Sequence, residues 1–247
     1  MLLGLRRSLS SPAVPAELTH PTIHLRPTAP VAERVVLPGD PGRALALATT
    51  LLGDDRKMFN HHRGLWGYTG TAVDGRPLTI QSTGIGGASA AVVLEELAAL
   101  GVRVAVRAGT ATALRGELEL GALVAATELH GGCGATRALG APERQAPDPE
   151  LVEVLAREAD AAGPLASADL FYDPDPERRR ALAASGALAF DLQSAALAAV
   201  AAARGLRFAS VVAITSGADG GRLDDEHIER VGEAVGRAAA AALLACA

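Results

Sequence analysis

Along the chain, short apolar runs alternate with longer stretches that are rich in alanine and leucine. The short runs have the length and composition of β-strands. They lie at residues 34–37, 66–73, 78–82, 102–107, 123–128, 188–190 and 208–215. Helical patterns begin after Pro41, Ala88, Pro149, Gln193 and Asp224. Strands that alternate with helices predict a layered α/β fold.

The turn signals refine this picture. Asp74 and Gly75 stand between two predicted strands, and this dipeptide strongly favours a tight hairpin. A hairpin makes neighbouring strands antiparallel, so the sequence predicts a three-layer α/β/α fold with a central mixed β-sheet. Residues 131–149 carry no regular pattern, and we expect either a mobile flap or an oligomer contact there.

Length, composition and charge limit the possible partners. The 247 residues, 49% of them hydrophobic, suffice for one large domain, which we expect at residues 23–247 behind a flexible N-terminal tail at residues 1–22. The net charge of −5 argues against a nucleic-acid surface, and no apolar run is long enough for a membrane span. Cys133 and Cys246 fit no metal or redox spacing, so we expect a cytoplasmic protein with no metal and no organic cofactor.

Three glycine-containing segments follow predicted strands. They read PGDPGR at residues 38–43, STGIGGAS at residues 82–89 and VRAGTAT at residues 106–112. Ligands of open α/β sheets gather where strands end, and backbone N–H groups in such loops can hold an anion. Arg43, Arg107 and Thr110 would add two guanidinium groups and a hydroxyl. Each segment alone is also compatible with an ordinary strand-to-helix connection.

The order of these segments resembles a known family. LPGDPGR, HHRGLWGYTGT, STGIGGASAAVVLEELAALGVRVAVRAGTAT, SADLFYDPD and FDLQSAAL are similar to successive signatures of the nucleoside phosphorylases, the family of hexameric purine nucleoside phosphorylase and uridine phosphorylase. The resemblance covers roughly residue 23 to the C-terminus. It implies a phosphorylase/hydrolase-like fold and cleavage of a nucleoside by inorganic phosphate.

The resemblance also implies a phosphate site. Gly39, Arg43, Arg107 and Thr110 would bind the phosphate, and Arg63 would complete the site from a neighbouring subunit. We therefore expect a homo-oligomer, either a hexamer built as a trimer of dimers or at least a dimer with shared active sites.

The ribose and base sites are implied in the same way. His24 of the neighbour, with Asp191, Leu192 and Gln193, would bind the ribose, and Arg43, Arg107 and Gln193 would be the catalytic residues. The base would be bound by the residues Thr112, Phe171, Arg178, Phe190 and Ser216. Three of these side chains also have simpler explanations: His24 as a solvated residue, Phe171 as a core residue and Arg178 as part of a solvated helix face.

Three positions depart from the family pattern. Gln193 stands where the family has a glutamate that accepts from the ribose hydroxyls, and we expect weaker ribose binding and a higher turnover for Gln193→Glu. Gly217 stands where purine enzymes have the aspartate that protonates the base. Thr112 replaces a glycine close to the base. Asp219 could substitute for the missing acid, although an aspartate between glycines is typically a turn former.

Three functions are therefore compatible with the sequence. The first is a nucleoside phosphorylase for a uridine-like or atypical nucleoside. The second is a nucleosidase that uses water, against which the retained arginines argue. The third is a non-catalytic homologue that binds phosphate or a nucleoside, which the changes at Gln193 and Gly217 favour.

Overall fold

The computed structural model of the chain describes residues 22–246, so the predicted tail lies almost wholly outside the described residues. Within them, the strands form one mixed sheet. The strands are β1 (Arg34–Pro38), β2 (Lys57–Asn60), β3 (Gly67–Thr71), β4 (Pro77–Gln81), β5 (Val104–Ala113), β6 (Leu123–Gly131), β7 (Arg144–Gln145), β8 (Ala161–Ser167), β9 (Ala189–Asp191) and β10 (Arg207–Ser216). The helices are α1 (Pro41–Leu51), α2 (Gly87–Ala99), α3 (Gly134–Ala138), α4 (Pro149–Glu158), α5 (Pro176–Ala184), α6 (Ser194–Arg204) and α7 (Asp225–Cys246), with a 3-10 turn at His62–Gly64.

The sheet runs in the order β10-β6-β8-β9-β5-β1-β4-β3-β2, with β7 paired to β6. Strand β1 is parallel to β4 and β5, whereas β3 is antiparallel to β2 and β4. Strand β10 also pairs in parallel with β5. This pairing closes one end of the sheet into a ring of five strands, β5, β9, β8, β6 and β10. The mixed sheet that the sequence predicted is confirmed.

Helices cover both faces of the sheet. Buried alanine, valine and leucine side chains of α2 and α6 pack on one face, and those of α1, α4 and α7 pack on the other. This arrangement confirms the three-layer α/β/α prediction. Among the described helices, none combines the length and apolar character that a membrane span requires.

Local residues explain two features of the fold. Asp40 caps α1 by accepting from the Arg43 N–H at 2.7 Å, and Pro41 occupies the first helical turn. Gly75 takes a φ of 76° in the turn between β3 and β4. The buried Arg34 guanidinium holds the Asp74 carboxylate with two bonds of 2.6 Å, which fixes this hairpin against β1.

Other expectations were wrong. The third glycine segment is not a strand-end loop, because β5 continues through it and carries Arg107, Thr110 and Thr112 within the strand. Residues 131–149 are not wholly irregular, since they contain α3 and β7. Strand β8 was missed because its sequence, AAGPLAS, lacks β-branched residues and contains proline.

Candidate functional site

A cavity of about 460 Å³ opens where β1 meets α1, beside residues 84–86 after β4, the glycine loop. Its wall brings together most of the residues that the sequence singled out. They are Gly39, Arg43, Arg107, Thr110, Thr112, Phe171, Phe190, Asp191, Leu192 and Gln193. The remaining four, His24, Arg63, Arg178 and Ser216, are not among the residues that line this cavity.

A second cavity, of about 550 Å³, lies between the 29–34 segment and the β3–β4 hairpin. Its charged lining residues are either exposed, like Lys57 and Arg103, or paired, like Arg34 with Asp74. It contains no residue of the predicted site. The smaller cavity is therefore the candidate functional site.

Two guanidinium groups dominate the electrostatics of the site. Arg43 is set by the first turn of α1, and Arg107 lies on β5, the strand next to β1. Burial lowers the pKa of Arg43; the charge of Arg107 lowers it too, while the Asp40 carboxylate works in the opposite direction. Because two like charges in a partly enclosed site repel each other, the arrangement favours an anion between them.

Two neighbouring side chains anchor Arg107. Its Nε donates to Asp191 Oδ2 at 2.8 Å, and its Nη1 donates to Gln193 Oε1 at 2.5 Å. Arg107, Asp191 and Gln193 are all at most 4% exposed. A guanidinium has five N–H groups, so three remain for a ligand on the cavity side. The anchors fix the direction in which these groups point.

Gly109 makes room for this side chain. It lies two residues beyond Arg107 on β5, and residues two apart share one face of a strand. A Cβ at Gly109 would stand 2.7 to 2.8 Å from three atoms of the Arg107 guanidinium. Only glycine therefore allows Arg107 to fold back over its own strand.

Asp191 is the centre of a buried polar network. Its carboxylate accepts from the hydroxyls of Ser167 and Ser194, both at 2.7 Å, in addition to Arg107. The Ser194 hydroxyl also bonds that of Ser210 at 2.9 Å. The serines have no sequence signal of their own, because only the fold brings β8, α6 and β10 together around the carboxylate.

Gln193 has no hydrogen-bonding capacity left for a sugar. Its Oε1 accepts from Arg107 and from Thr83 Oγ1 at 2.9 Å, and its Nε2 donates to the carbonyl oxygens of Gly84 at 2.9 Å and Gly86 at 3.3 Å. A primary amide offers two donor hydrogens and two acceptor lone pairs, and all four are used. The ribose role expected for Gln193 would require it to give up one of these bonds.

Aromatic side chains mark the other end of the cavity. Phe171 is 46% exposed and meets Tyr172 edge to face, with ring centroids 4.9 Å apart. It is not a core residue. The Arg222 guanidinium lies 5.8 Å from the centroid of the Phe171 ring, a contact that the sequence did not predict. Phe190 and Thr112 face each other as paired residues of β9 and β5.

The end of β10 carries the second departure from the family pattern. Gly217 and Gly221 close a tight turn through a backbone bond of 2.8 Å, and Ser216 pairs with Arg222 across it. Asp219 accepts from the Gly221 N–H at 2.9 Å. Such a hydrogen bond is typical of an aspartate that stabilises a turn. Asp219 does not line the cavity.

Neither His24 nor Arg63 lines the cavity of its own chain. The His24 Nδ1 contacts Glu96 Oε1 at 2.8 Å. Partial burial lowers the pKa of His62, and the charges of Arg26, Arg63, His61 and His24 lower it further. Arg63 takes a φ of 59°, a left-handed conformation that costs a non-glycine residue free energy.

Arg178 lies on α5, which has no buried residue, and its Nε contacts Asp173 Oδ2 at 2.9 Å. This ion pair holds the guanidinium outside the cavity. The structure therefore does not bring Arg178 to the other predicted base-binding residues.

The chain is similar to known phosphorylases. The chain matches the Phosphorylase superfamily over residues 33–247. It is 32% identical to a guanosine phosphorylase of Halorubrum lacusprofundi over 84% of this chain and 90% of that protein. It is 31% identical to a DeoD-type purine nucleoside phosphorylase of Clostridium perfringens over 75% and 82% of the two chains.

A solved structure of uridine phosphorylase from Vibrio fischeri matches the fold with a TM-score of 0.77 at 22% identity, over 87% of this chain and 93% of that chain. That likeness shows the fold, and the sequence match over most of the chain shows the family. The chain belongs to the Phosphorylase superfamily.

Proposed function

We propose that the protein is a nucleoside phosphorylase that cleaves the N-glycosidic bond of a nucleoside with inorganic phosphate and releases the free base and a pentose 1-phosphate. The observation that carries this proposal is the convergence of Arg43 and Arg107 on one cavity beside a glycine loop. Burial lowers the pKa of Arg43 and the charge of Arg107 lowers it further, so a phosphate dianion between the two groups would stabilise their charged forms.

The proposed reaction forms one bond and breaks one bond. An oxygen of HPO4²⁻ attacks C1′, and the bond between C1′ and the base nitrogen breaks, so its electron pair leaves with the base. The phosphate ester that forms carries no proton, and the base takes up the proton that HPO4²⁻ loses. Arg43, Arg107 and Thr110, with the Gly39 amide, would hold the phosphate in line with C1′. This positioning supplies entropic and electrostatic assistance. The scheme needs no metal or organic cofactor.

The sugar and base would occupy the rest of the cavity. Phe171 and Phe190 offer aromatic surface to a base, and Leu192 offers apolar contact beside the sugar. The carboxylates that line the cavity, Asp40 and Asp191, are both bonded within the protein. Because neither is a ready proton donor, we propose a uridine-like or atypical nucleoside as the substrate rather than a purine nucleoside that needs an acid.

A neighbouring subunit would complete the site. Arg63 and His24 do not line the cavity of their own chain, and the strained backbone of Arg63 supports a functional role. We propose that these two residues enter the cavity of a second copy, Arg63 toward the phosphate and His24 toward the sugar. The protein would then be an obligate oligomer, at least a dimer and by family resemblance a hexamer.

Release of free base from a nucleoside panel tests the proposal. Uridine, thymidine, guanosine, inosine and adenosine are each incubated with and without inorganic phosphate, and guanosine is included because a relative bears its name. Release that requires phosphate is the expected result. Release without phosphate would instead show a nucleosidase. No release from any nucleoside, with phosphate still raising the melting temperature, would show a non-catalytic binding protein.

Two arginine variants locate the phosphate site. Arg107→Ala should remove the thermal stabilisation by phosphate. Arg103→Ala is the matched control, because Arg103 lies just before the start of the same strand and is exposed to solvent. Phosphate stabilisation that survives in Arg107→Ala would show that the anion binds elsewhere.

A further inference from the structure

The Gln193 side chain joins two parts of the site that are far apart in sequence. On one side it bonds Arg107 on β5, and on the other it bonds the carbonyl oxygens of Gly84 and Gly86, which flank the exposed Ile85. Gln193 itself is 2% exposed, so these bonds are shielded from water. Buried hydrogen bonds of this kind fix geometry because breaking one leaves an unpaired polar group.

We propose that Gln193 is a positioning residue, whose neutral amide ties the glycine loop to Arg107 so that the loop and the guanidinium are set together for phosphate. This inference rests on the proposed function for its ligand. It differs from the ribose-binding role that the sequence suggested, because the bonds that carry it go to the protein and not to a sugar.

Only an amide satisfies this set of partners. The carbonyl oxygens of Gly84 and Gly86 accept from the Gln193 nitrogen, whereas Arg107 Nη1 and Thr83 Oγ1 donate to its oxygen. The partners therefore fix which end of the amide is oxygen and which is nitrogen. A carboxylate at this position would place an anionic oxygen against two carbonyl oxygens. The loop would then move away, or one of its contacts would be lost.

The loop has other anchors whose loosening can be observed. The Gly84 N–H donates to the Gly39 oxygen at 2.9 Å, and the Ala90 N–H donates to the Gly86 oxygen at 3.1 Å. Hydrogen exchange at these two amides reports how firmly the loop is held, independently of any ligand. Gly39 also lines the cavity, so movement of the loop would reach the phosphate site directly.

The test uses Gln193→Met and Gln193→Glu, with Gln145→Met as the matched control. Gln145 is also buried and its amide donates to the Ala195 oxygen at 3.1 Å, but it does not line the cavity. Native-state hydrogen exchange is measured at Gly84 and Ala90, and the Kd for inorganic phosphate is measured by calorimetry. We expect both Gln193 variants to exchange at least tenfold faster at these amides and to bind phosphate at least tenfold more weakly.

The alternatives give different patterns. If Gln193 were only a sugar ligand, neither variant would change loop exchange or phosphate affinity. If only charge mattered, Gln193→Met would bind phosphate like the wild type and Gln193→Glu would not. Either pattern, or an equal change in Gln145→Met, would overturn the proposal. A wild type that binds no phosphate would contradict the proposed function, while the exchange measurement would still decide whether the amide holds the loop.

Discussion

Gly109→Ala perturbs the phosphate site without removing a polar group. The new methyl carbon would lie 2.8 Å from Arg107 Nε, whereas ordinary contact begins near 3.4 Å. The guanidinium must therefore shift by about 0.6 Å, since a strand cannot absorb the contact by itself. The Arg107 to Asp191 distance of 2.8 Å would then lengthen beyond a good hydrogen bond.

The magnitude follows from the bond that is lost. A hydrogen bond to a charged group contributes about 1.5–3 kcal/mol, and about 1.4 kcal/mol corresponds to a tenfold change in an equilibrium constant. We expect phosphate affinity to fall roughly 10- to 100-fold in Gly109→Ala. Isothermal titration calorimetry with inorganic phosphate measures this change, with circular dichroism to establish that the variant is folded.

Gly116→Ala is the control for this prediction. No heavy atom lies within 4 Å of the Cβ position at Gly116, so the extra methyl group has open space. This variant should keep both its phosphate affinity and its melting temperature. A folded Gly109→Ala protein with the wild-type affinity would refute the reasoning, because it would mean that Arg107 does not need its observed position to bind the anion.

Three further predictions concern stability, the base end and the shared site. The Arg34 guanidinium holds the pKa of Asp74 at about 2, below its ordinary value, so its contribution to stability is present above about pH 4 and is lost as the pH falls toward 2. Asp74→Asn should therefore lower the free energy of unfolding at pH 7 by about 1–2 kcal/mol, and urea titrations at pH 7 and pH 3 should show a smaller difference from wild type at pH 3. Phe171→Ala should raise the nucleoside KM roughly 3- to 10-fold and leave phosphate affinity unchanged, which steady-state kinetics and calorimetry check together. Arg63→Ala should weaken phosphate binding in the oligomer, and an equimolar mixture of Arg63→Ala and Arg107→Ala subunits, refolded together, should regain part of the lost activity if subunits share sites.

Much of the architecture is readable from the sequence because it depends on local patterns. The hairpin at Asp74-Gly75 and the cap at Asp40 each need only a few neighbouring residues. The grouping of Arg43 and Arg107 was predicted from the order of the signatures, although Arg107 lies within β5 and not at a strand end. Strand β8 could not be found in this way, since its alanine-rich sequence has no strand propensity and it forms only because β6 and β9 pair with it.

The roles inside the cavity depend on contacts that no local pattern encodes. Gln193 meets Thr83 and Gly84 across more than a hundred positions of sequence, so its bonds follow from the fold alone. From the sequence, a missing carboxylate predicts that Gln193→Glu raises turnover. From the structure, the same substitution places a charge against two carbonyl oxygens, and we expect it to loosen the glycine loop and to weaken phosphate binding. The residue type at position 193 indicates a functional position, but the hydrogen-bond partners of Gln193 determine its role.

The neutral amide at position 193 also changes the balance between binding and catalysis. Among the charged side chains that line the cavity, Arg43 and Arg107 are matched by Asp40 and Asp191, and a glutamate at 193 would add a further negative charge beside Arg107. Without that charge, an incoming phosphate dianion meets less repulsion, so the ground-state complex is favoured. Without that carboxylate, the positive charge that develops on the sugar also lacks a stabilising partner. The neutral amide therefore stabilises the transition state less than it stabilises the ground-state complex. Because only interactions that strengthen in the transition state accelerate the chemical step, this exchange favours tight phosphate binding together with slow turnover.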